Sequence, residues 1–321
     1  MDRPSLPRPC AQLLAALLLP LALAGPAPAA GQAPAASPAA REASAEQRKR
    51  DALAQPEGIA VPPRSRVASL ASSEALERRA EEEYRQLLRS AAAQRALAPE
   101  DHPPLQRLRR IARRLIPHAE RFSERSDAWR WEVNLIGSNQ VNAFVMPGGK
   151  IAFFTGIIDR LRLTDDEIAM IMGHEMAHAL LEHGREREGQ ARVARALTLG
   201  ASVFSQFLGY GDLGGAIASG ASQLTLLRFN RGDEIEADLV GMDIAARAGY
   251  DPRAAIALWQ KMSTASQGQP PQFLSTHPAH ANRIDTLRTA LPKVLPLYAR
   301  ATGQPLEALK PYRSNTGPPV Q

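Results

Sequence analysis

Thr164-Asp165-Asp166-Glu167-Ile168-Ala169-Met170-Ile171-Met172-Gly173-His174-Glu175-Met176-Ala177-His178-Ala179-Leu180 is the stretch on which the fold reading turns. Thr164 followed three residues later by Glu167 is a capping box, and Asp165 and Asp166 add an acidic first turn, so a helix starts here. Ile168, Ile171, Met172, Met176, Ala179 and Leu180 recur at helical spacing and give it a buried face. Gly184 is the expected stop. Within the helix, His174-Glu175-Met176-Ala177-His178 reads H-E-x-x-H. Histidines four apart lie about 40° from each other around the axis, one turn up, so both imidazoles face one point. That point can hold Zn²⁺, with Glu175 beside it to take a proton from water. Two unpaired imidazoles among apolar residues would be costly, and a shared metal gives both a partner. His183, five beyond His178 and about 140° round a continued helix, is expected at the surface.

A catalytic zinc site takes three protein ligands and keeps one position open. No histidine after His178 has the spacing of an extended histidine motif. The candidate third ligand is in Arg231-Gly232-Asp233-Glu234-Ile235-Glu236-Ala237-Asp238-Leu239-Val240-Gly241. Glu234 and Asp238 are four apart and share a helix face, whereas Glu236 lies on another. Glu234 can ligate the metal, and Asp238 can accept the outer N–H of a ligand histidine. An exposed acidic helix start is the ordinary reading of such a stretch standing alone.

Taken together, H-E-x-x-H and R-x-x-E-x-x-A-D-x-x-G resemble the gluzincin zinc metallopeptidases of the HtpX, BepA and CAAX-prenyl-protease type. Asn142-Ala143-Phe144-Val145-Met146-Pro147-Gly148-Gly149 matches that family's N-A-F-x-x-P-G-G segment. Ser275-Thr276-His277-Pro278 with Arg283-Ile284 matches its S-T-H-P-x-x-x-x-R-I segment. The likeness covers residues 75 to 290 and looks closest to the periplasmic BepA/LoiP-like branch, with no room for a helical-repeat domain after it. It implies one zinc held by His174, His178 and Glu234, with Glu175 as the catalytic base. It also implies that His277 approaches the metal, either stabilising an oxyanion or occupying the open position as a latch. The fold it implies is α+β and predominantly helical, a zincin with a small sheet beside the H-E-x-x-H helix.

The rest of the chain is read around that centre. Arg3 and Arg8, the apolar run Ala11 to Leu23 and Ala22-Leu23-Ala24 form a signal-peptide pattern, so residues 1–24 are expected to be removed on export to the periplasm. A later cut near Ala30 and an uncleaved anchor are the alternatives. Cys10, the single cysteine, would leave with the signal, which excludes disulfides and thiol catalysis in the mature chain. Residues 25–70 are rich in Ala, Pro and Ser and read as a flexible linker. The peptidase domain is expected over 71–290, with a C-terminal tail over 291–321. Residues 73–97 and a segment from Pro103 read as amphipathic helices, and Trp129, Trp131, Val133 and Leu135 alternate as in a strand. Asn142–Val145 and Ile151–Thr155 read as strands around Pro147-Gly148-Gly149. One of them, with Asn142, Ala143 and Phe144 as the candidate positions, would pair with extended substrate through main-chain hydrogen bonds.

Between Ala196 and Leu227 lies a Gly/Ala-rich apolar stretch carrying one charge, Asp212. Paired helices on the core are expected there, with peripheral membrane contact as the alternative. Formal net charge is +6 over 321 residues, and arginines are interspersed with glutamates. Nucleic-acid binding is therefore excluded from the reading. The family likeness points to protein or peptide substrates, misfolded or stalled envelope proteins, and to outer-membrane assembly machinery as a partner. The rival class is a chaperone-like client binder whose zinc is blocked by His277. An inert zinc scaffold is the third, and Glu175 counts against it.

Overall fold

A computed structural model describes residues 57–60, 62–63, 65–193, 229–266, 271–278, 282–317 and 319–320. The expected signal peptide, the first part of the linker and the stretch between Ala196 and Leu227 lie outside the described residues. No helix among the described residues is long and apolar enough to cross a membrane.

Two helices open the fold. Helix α1, Ser73–Ala93, starts where the Ser72 side chain accepts the Ala75 N–H, and it buries Leu76, Ala80, Tyr84 and Ala91. Helix α2, Pro103–Leu115, uses prolines in its first turn, where the missing N–H costs nothing, and buries Leu105, Leu108, Ile111 and Leu115. Three strands follow: β1, Glu132–Ile136; β2, Ala143–Met146; and β3, Lys150–Phe154. Their order is β1-β3-β2, with β1 parallel and β2 antiparallel to β3. All five residues of β3 are buried, as a central strand covered on both faces requires. Gly148 and Gly149 turn β2 back with φ of 84° and 79°, a region glycine enters without strain. A side chain at Gly149 would also strike the Trp131 ring.

After the short helix α3, Thr155–Arg160, comes α4, Asp165–Leu180, with both arms of the expected capping box formed. Every residue from Glu167 to Leu180 is buried, because α4 runs through the middle of the core. Helix α5, Arg231–Arg247, carries its own capping box between Asn230 and Asp233. The two helices meet at glycines: a Cβ on Gly241 would lie 2.6 Å from the His174 nitrogen, and one on Gly173 would lie 2.8 Å from the Gly241 oxygen. Helices α6, Ala254–Ala265, α7, Gln272–Thr276, and α8, Arg283–Thr302, complete the core. The fold is thus α+β, mostly helical, with a small sheet beside the H-E-x-x-H helix.

Three features differ from the sequence reading. The α4 stop is Glu182 at φ 61°, not Gly184, and the chain re-enters helix over residues 183–193. Part of the expected linker is docked: the Ile59 N–H donates to buried Asp243 at 2.8 Å, and Arg121 and Arg247 donate to the Glu57 carbonyl. Helix α8 runs through position 290, and beyond it the Tyr312 hydroxyl meets Thr164 at 2.7 Å while Ser314 donates to Glu167. The C-terminal segment therefore secures the start of the helix that carries the site.

Candidate metal centre

His174 and His178 point from consecutive turns of α4 to one buried place, with their Nε2 atoms 3.2 Å apart. From α5, Glu234 brings Oε1 to 3.4 Å from His178 Nε2 and Oε2 to 3.7 Å from His174 Nε2. His277, the residue that ends α7, sets its Nδ1 3.2 Å from His174 Nε2 and 3.0 Å from Glu234 Oε1. Ligand-capable atoms of these four residues all lie within 4.8 Å of one another, and all four residues are buried. His277, separated from α4 by about a hundred residues, is thus folded directly over the pair.

The outer edges of the rings explain their inward ones. His174 Nδ1 donates to Asp238 Oδ1 at 2.9 Å, because an ionised carboxylate can only accept. Its Nε2 then carries a lone pair aimed into the pocket. His178 Nδ1 is likewise engaged outward, on His183 at 2.9 Å. Two inward lone pairs 3.2 Å apart repel unless a cation lies between them. Glu175 gives a second sign: its Oε1 is buried without a hydrogen-bond partner, 3.2 Å from His277 Nε2 but without bonding geometry. The donor set of two imidazoles and a carboxylate suits zinc.

Arg283 of α8 holds the acidic side of the site. Its Nε and Nη2 donate to both oxygens of Asp238 at 2.7 Å, and Nη1 donates to Glu234 Oε2 at 2.8 Å. Its guanidinium lies 3.3 Å from the Trp259 ring centroid, so the indole covers one of its faces. Burial alone would raise Asp238 and Glu234. The Arg283 charge and the His174 bond outweigh it at Asp238, and the imidazoles of His178, His277 and His174 that face Glu234 outweigh it there, so both carboxyls stay below their ordinary range. At Glu175 burial outweighs the charges of His277, His174 and Arg283 and pushes the carboxyl up. Burial also takes His178 well below the ordinary imidazole value, as suits a neutral ligand. At His277 burial acts downward too, but the Glu175 and Glu234 carboxylates win and raise it.

The structure brings His174, Glu175, His178, Glu234, Asp238, His277 and Arg283 together. It moves His183 from the expected surface into the interior. The break at Glu182 resets the helical phase, so the ring turns back onto His178 instead of outward. Phe229 and Phe273 were not read from sequence. Phe229 stacks on the His178 ring at 3.8 Å between centroids, and the two phenylalanines sandwich His277 at 5.4 and 4.5 Å. Phe273 stands four residues before His277, but nothing local marks Phe229, which is 48 positions away.

Asn142, Ala143 and Phe144 lie at and just before the start of β2, the edge strand beside α4. Strand β3 is paired on both sides, so of the two candidate strands β2 is the one at an edge; the other edge strand, β1, is bridged on its outer side by Leu97 and Ala98. The Phe154 N–H takes the Asn142 carbonyl, and alternation turns the backbone groups of Ala143 and Val145 outward. The Ala143 N–H is taken by the Asn142 side chain, and Phe273 N–H covers the Val141 carbonyl. The Ala143 carbonyl and both Val145 groups thus face the open edge. A cleft lined by Leu76, Trp129, Val145, Pro147, His178 and Phe229 joins that edge to the metal-facing histidine.

The model of peptidase family M48 matches residues 104–291, more than half of the chain and all the residues of this centre. The mitochondrial metalloendopeptidase OMA1 of Schizosaccharomyces pombe is 32% identical over 219 residues, covering 67% of this chain and 61% of the relative. The bovine mitochondrial metalloendopeptidase OMA1 is 34% identical over 194 residues, covering 56% and 36%. The beta-barrel assembly-enhancing protease of Yersinia pestis is 29% identical over 215 residues, covering 63% and 42%. The chain therefore spans from about a third to three fifths of the length of these relatives. With that match laid over a buried histidine, histidine and glutamate set built for one zinc, the chain belongs to peptidase family M48, the zinc metallopeptidases.

Proposed function

We propose that this chain is an exported zinc endopeptidase that cuts misfolded or stalled envelope proteins. The observation that carries the reading is Glu175, whose unpartnered oxygen lies among His174, His178, Glu234 and His277. A bound zinc there supplies Lewis-acid chemistry, polarising the scissile carbonyl and acidifying water. Glu175 takes the proton from the attacking water and returns it to the leaving amine. A carboxyl raised by burial suits both halves of that transfer. The open edge of β2 binds extended backbone, which gives affinity with little demand on side chains. Such a site suits unfolded segments of many proteins.

The periplasmic location rests on the signal pattern in residues 1–24. The name of the Yersinia relative supports β-barrel assembly machinery of the outer membrane as a partner, while the relatives named mitochondrial, also metalloendopeptidases, share somewhat more identity with the chain. The second reading, a client binder with a blocked zinc, is favoured by one observation: His277 lies inside the ligand group, held between two phenylalanines. The test is casein degradation by purified zinc-loaded protein, with and without chelator and beside Glu175→Gln. Chelator-sensitive cutting that the variant lacks supports the peptidase reading. Client binding with no cutting by either protein would favour the blocked one.

A further inference from the structure

The two zinc-facing histidines are supported in unequal ways, and only one of the supports is a carboxylate. Behind His174 stands Asp238, itself clamped by Arg283. Behind His178 stands another imidazole. His183 Nδ1 lies 2.9 Å from His178 Nδ1, and His183 Nε2 lies 3.4 Å from Glu236 Oε2. His183 is buried, whereas the Glu236 side chain is 43% exposed. The chain of contacts thus runs from the pocket to the surface.

Only one proton fits between two ring nitrogens 2.9 Å apart. If His178 presents an Nε2 lone pair to the metal, its Nδ1 must carry the proton. The Nδ1 of His183 must then accept, which leaves the proton of His183 on Nε2, where Glu236 accepts it. Every tautomer along the path follows from the first. We propose that His183, backed by Glu236, is the positioning residue for His178: it accepts the Nδ1 proton and fixes the tautomer and plane of that ligand. It is not a fifth ligand, because it faces the edge of His178 turned away from Glu234. Phe229, stacked on the ring face at 22° between planes, restrains tilt but offers no acceptor. The ring is thus held on its face by packing and along its edge by one hydrogen bond.

The placement depends on the helix break. Glu182 in the left-handed region ends α4 and starts the next helix at once, which brings His183 alongside His178 instead of about 140° away. Glu182 is tied there by Ser73 and Arg185. A neutral acceptor behind His178 also adds no charge to a pocket that already holds several carboxylates.

The test compares two variants of the full chain. His183→Phe keeps the ring's bulk but removes the acceptor. His183→Asn places a carbonyl oxygen close to where Nδ1 was. Zinc affinity is measured by competition with a chromophoric chelator, and zinc release is followed after adding excess EDTA. The melting temperature of the zinc-free protein reports folding. His183→Phe is expected to bind zinc about 10- to 100-fold more weakly and release it faster, while His183→Asn stays within about threefold of wild type. Equal affinity in His183→Phe and wild type overturns the proposal, and so does an Asn variant as weak as the Phe variant, which would make the role one of packing. Should His183→Phe fail to fold, nitrogen-15 spectra of the imidazoles in zinc-loaded wild type decide. Protons on His178 Nδ1 and His183 Nε2 support the relay, and a proton on His183 Nδ1 overturns it.

Discussion

Substituting Gly241 by alanine tests whether the metal site is set by the spacing of two helices. The added Cβ would meet the His174 nitrogen at 2.6 Å, the Gly173 carbonyl carbon at 2.8 Å and the His174 Cα at 3.0 Å. All three are backbone atoms of α4, so no side chain can swing aside. Restoring ordinary contact needs α4 and α5 to part by roughly 0.8 Å at this point. Zinc sites tolerate only about 0.2 Å in ligand distance. Glu234 rides on α5 and the histidines on α4, so the ligand set is pulled apart by several times that tolerance. Overpacking of this kind costs about 1–3 kcal/mol of stability. For a domain of this size that is a drop of roughly 2–12 °C in melting temperature. Zinc affinity, read by chelator competition, should fall at least about tenfold, the lower end of what lesser disturbances around a ligand cause. Gly173→Ala strikes the same joint from the other side, with its Cβ 2.8 Å from the Gly241 oxygen. The double variant should therefore lose less than the sum of the singles, because the first separation makes room for the second methyl. Wild-type zinc affinity and melting temperature in Gly241→Ala would refute the reasoning, since the helices would then not be locked at this contact.

Glu175→Gln should keep one zinc per chain by metal analysis and lose about 10²-fold or more of peptidase turnover, because an amide cannot take the water proton. His277→Ala should raise casein or self-cleavage at unchanged zinc content if His277 fills the fourth position; a fall of about 10²-fold would make it an oxyanion stabiliser, and no change would leave it a structural residue. Asp166→Asn concerns pH. Burial, eased by the Asp251 N–H and reinforced by neighbouring acids, lifts the Asp166 carboxyl from 3.8 to about 6. The native state thus prefers this group protonated, a contribution fully present below about pH 4 and lost as pH rises through 6. Asparagine keeps an acceptor for Asp251, so the variant should be more stable at pH 7.5, by at most about 3 kcal/mol, and equal to wild type near pH 3.5 in urea unfolding. A constant difference across that range would remove Asp166 as the cause.

The parts of the site legible in the sequence were those fixed by local spacing. The capping box at Thr164 and Glu167 and the paired faces of His174 with His178 and Glu234 with Asp238 all rest on contacts three or four residues apart, which helix geometry dictates. The family likeness added His277 and Arg283, which no spacing rule connects to α4. What local rules could not reach was set by a conformational exception or by distance. Gly184 attracted the stop because glycine usually supplies positive φ, yet Glu182 took it, held by Ser73, which is 109 positions away. That displacement by two residues carried His183 from surface to interior. The docking of Ile59 on Asp243 spans 184 positions, and the Phe229 stack depends on a chain return that no period encodes. The central place of β3 likewise emerged only from its direct pairing with β1, which skips β2 in the sequence.

Charge explains why these residues belong to one design. Glu175, Glu234 and Asp238 are buried acids, and carboxylates left uncompensated in the interior are strongly destabilising. Arg283 supplies one positive charge and places its three shortest hydrogen bonds on two of the three acids. A divalent cation held by neutral His174 and His178 closes the count. A monovalent ion would leave a net negative charge, and a protonated His178 would compete with the metal for the same lone pair. The directions of the ionisations follow this balance. The acids that Arg283 touches stay low, Glu175, which it does not touch, is driven up, and His277 is raised by the carboxylates on either side of it. The same count explains the unequal supports of the two ligands. His174 can lean on a carboxylate because Arg283 neutralises it, whereas a second carboxylate behind His178 would have no counterion, and the neutral His183 stands there with its acid partner kept at the solvent edge.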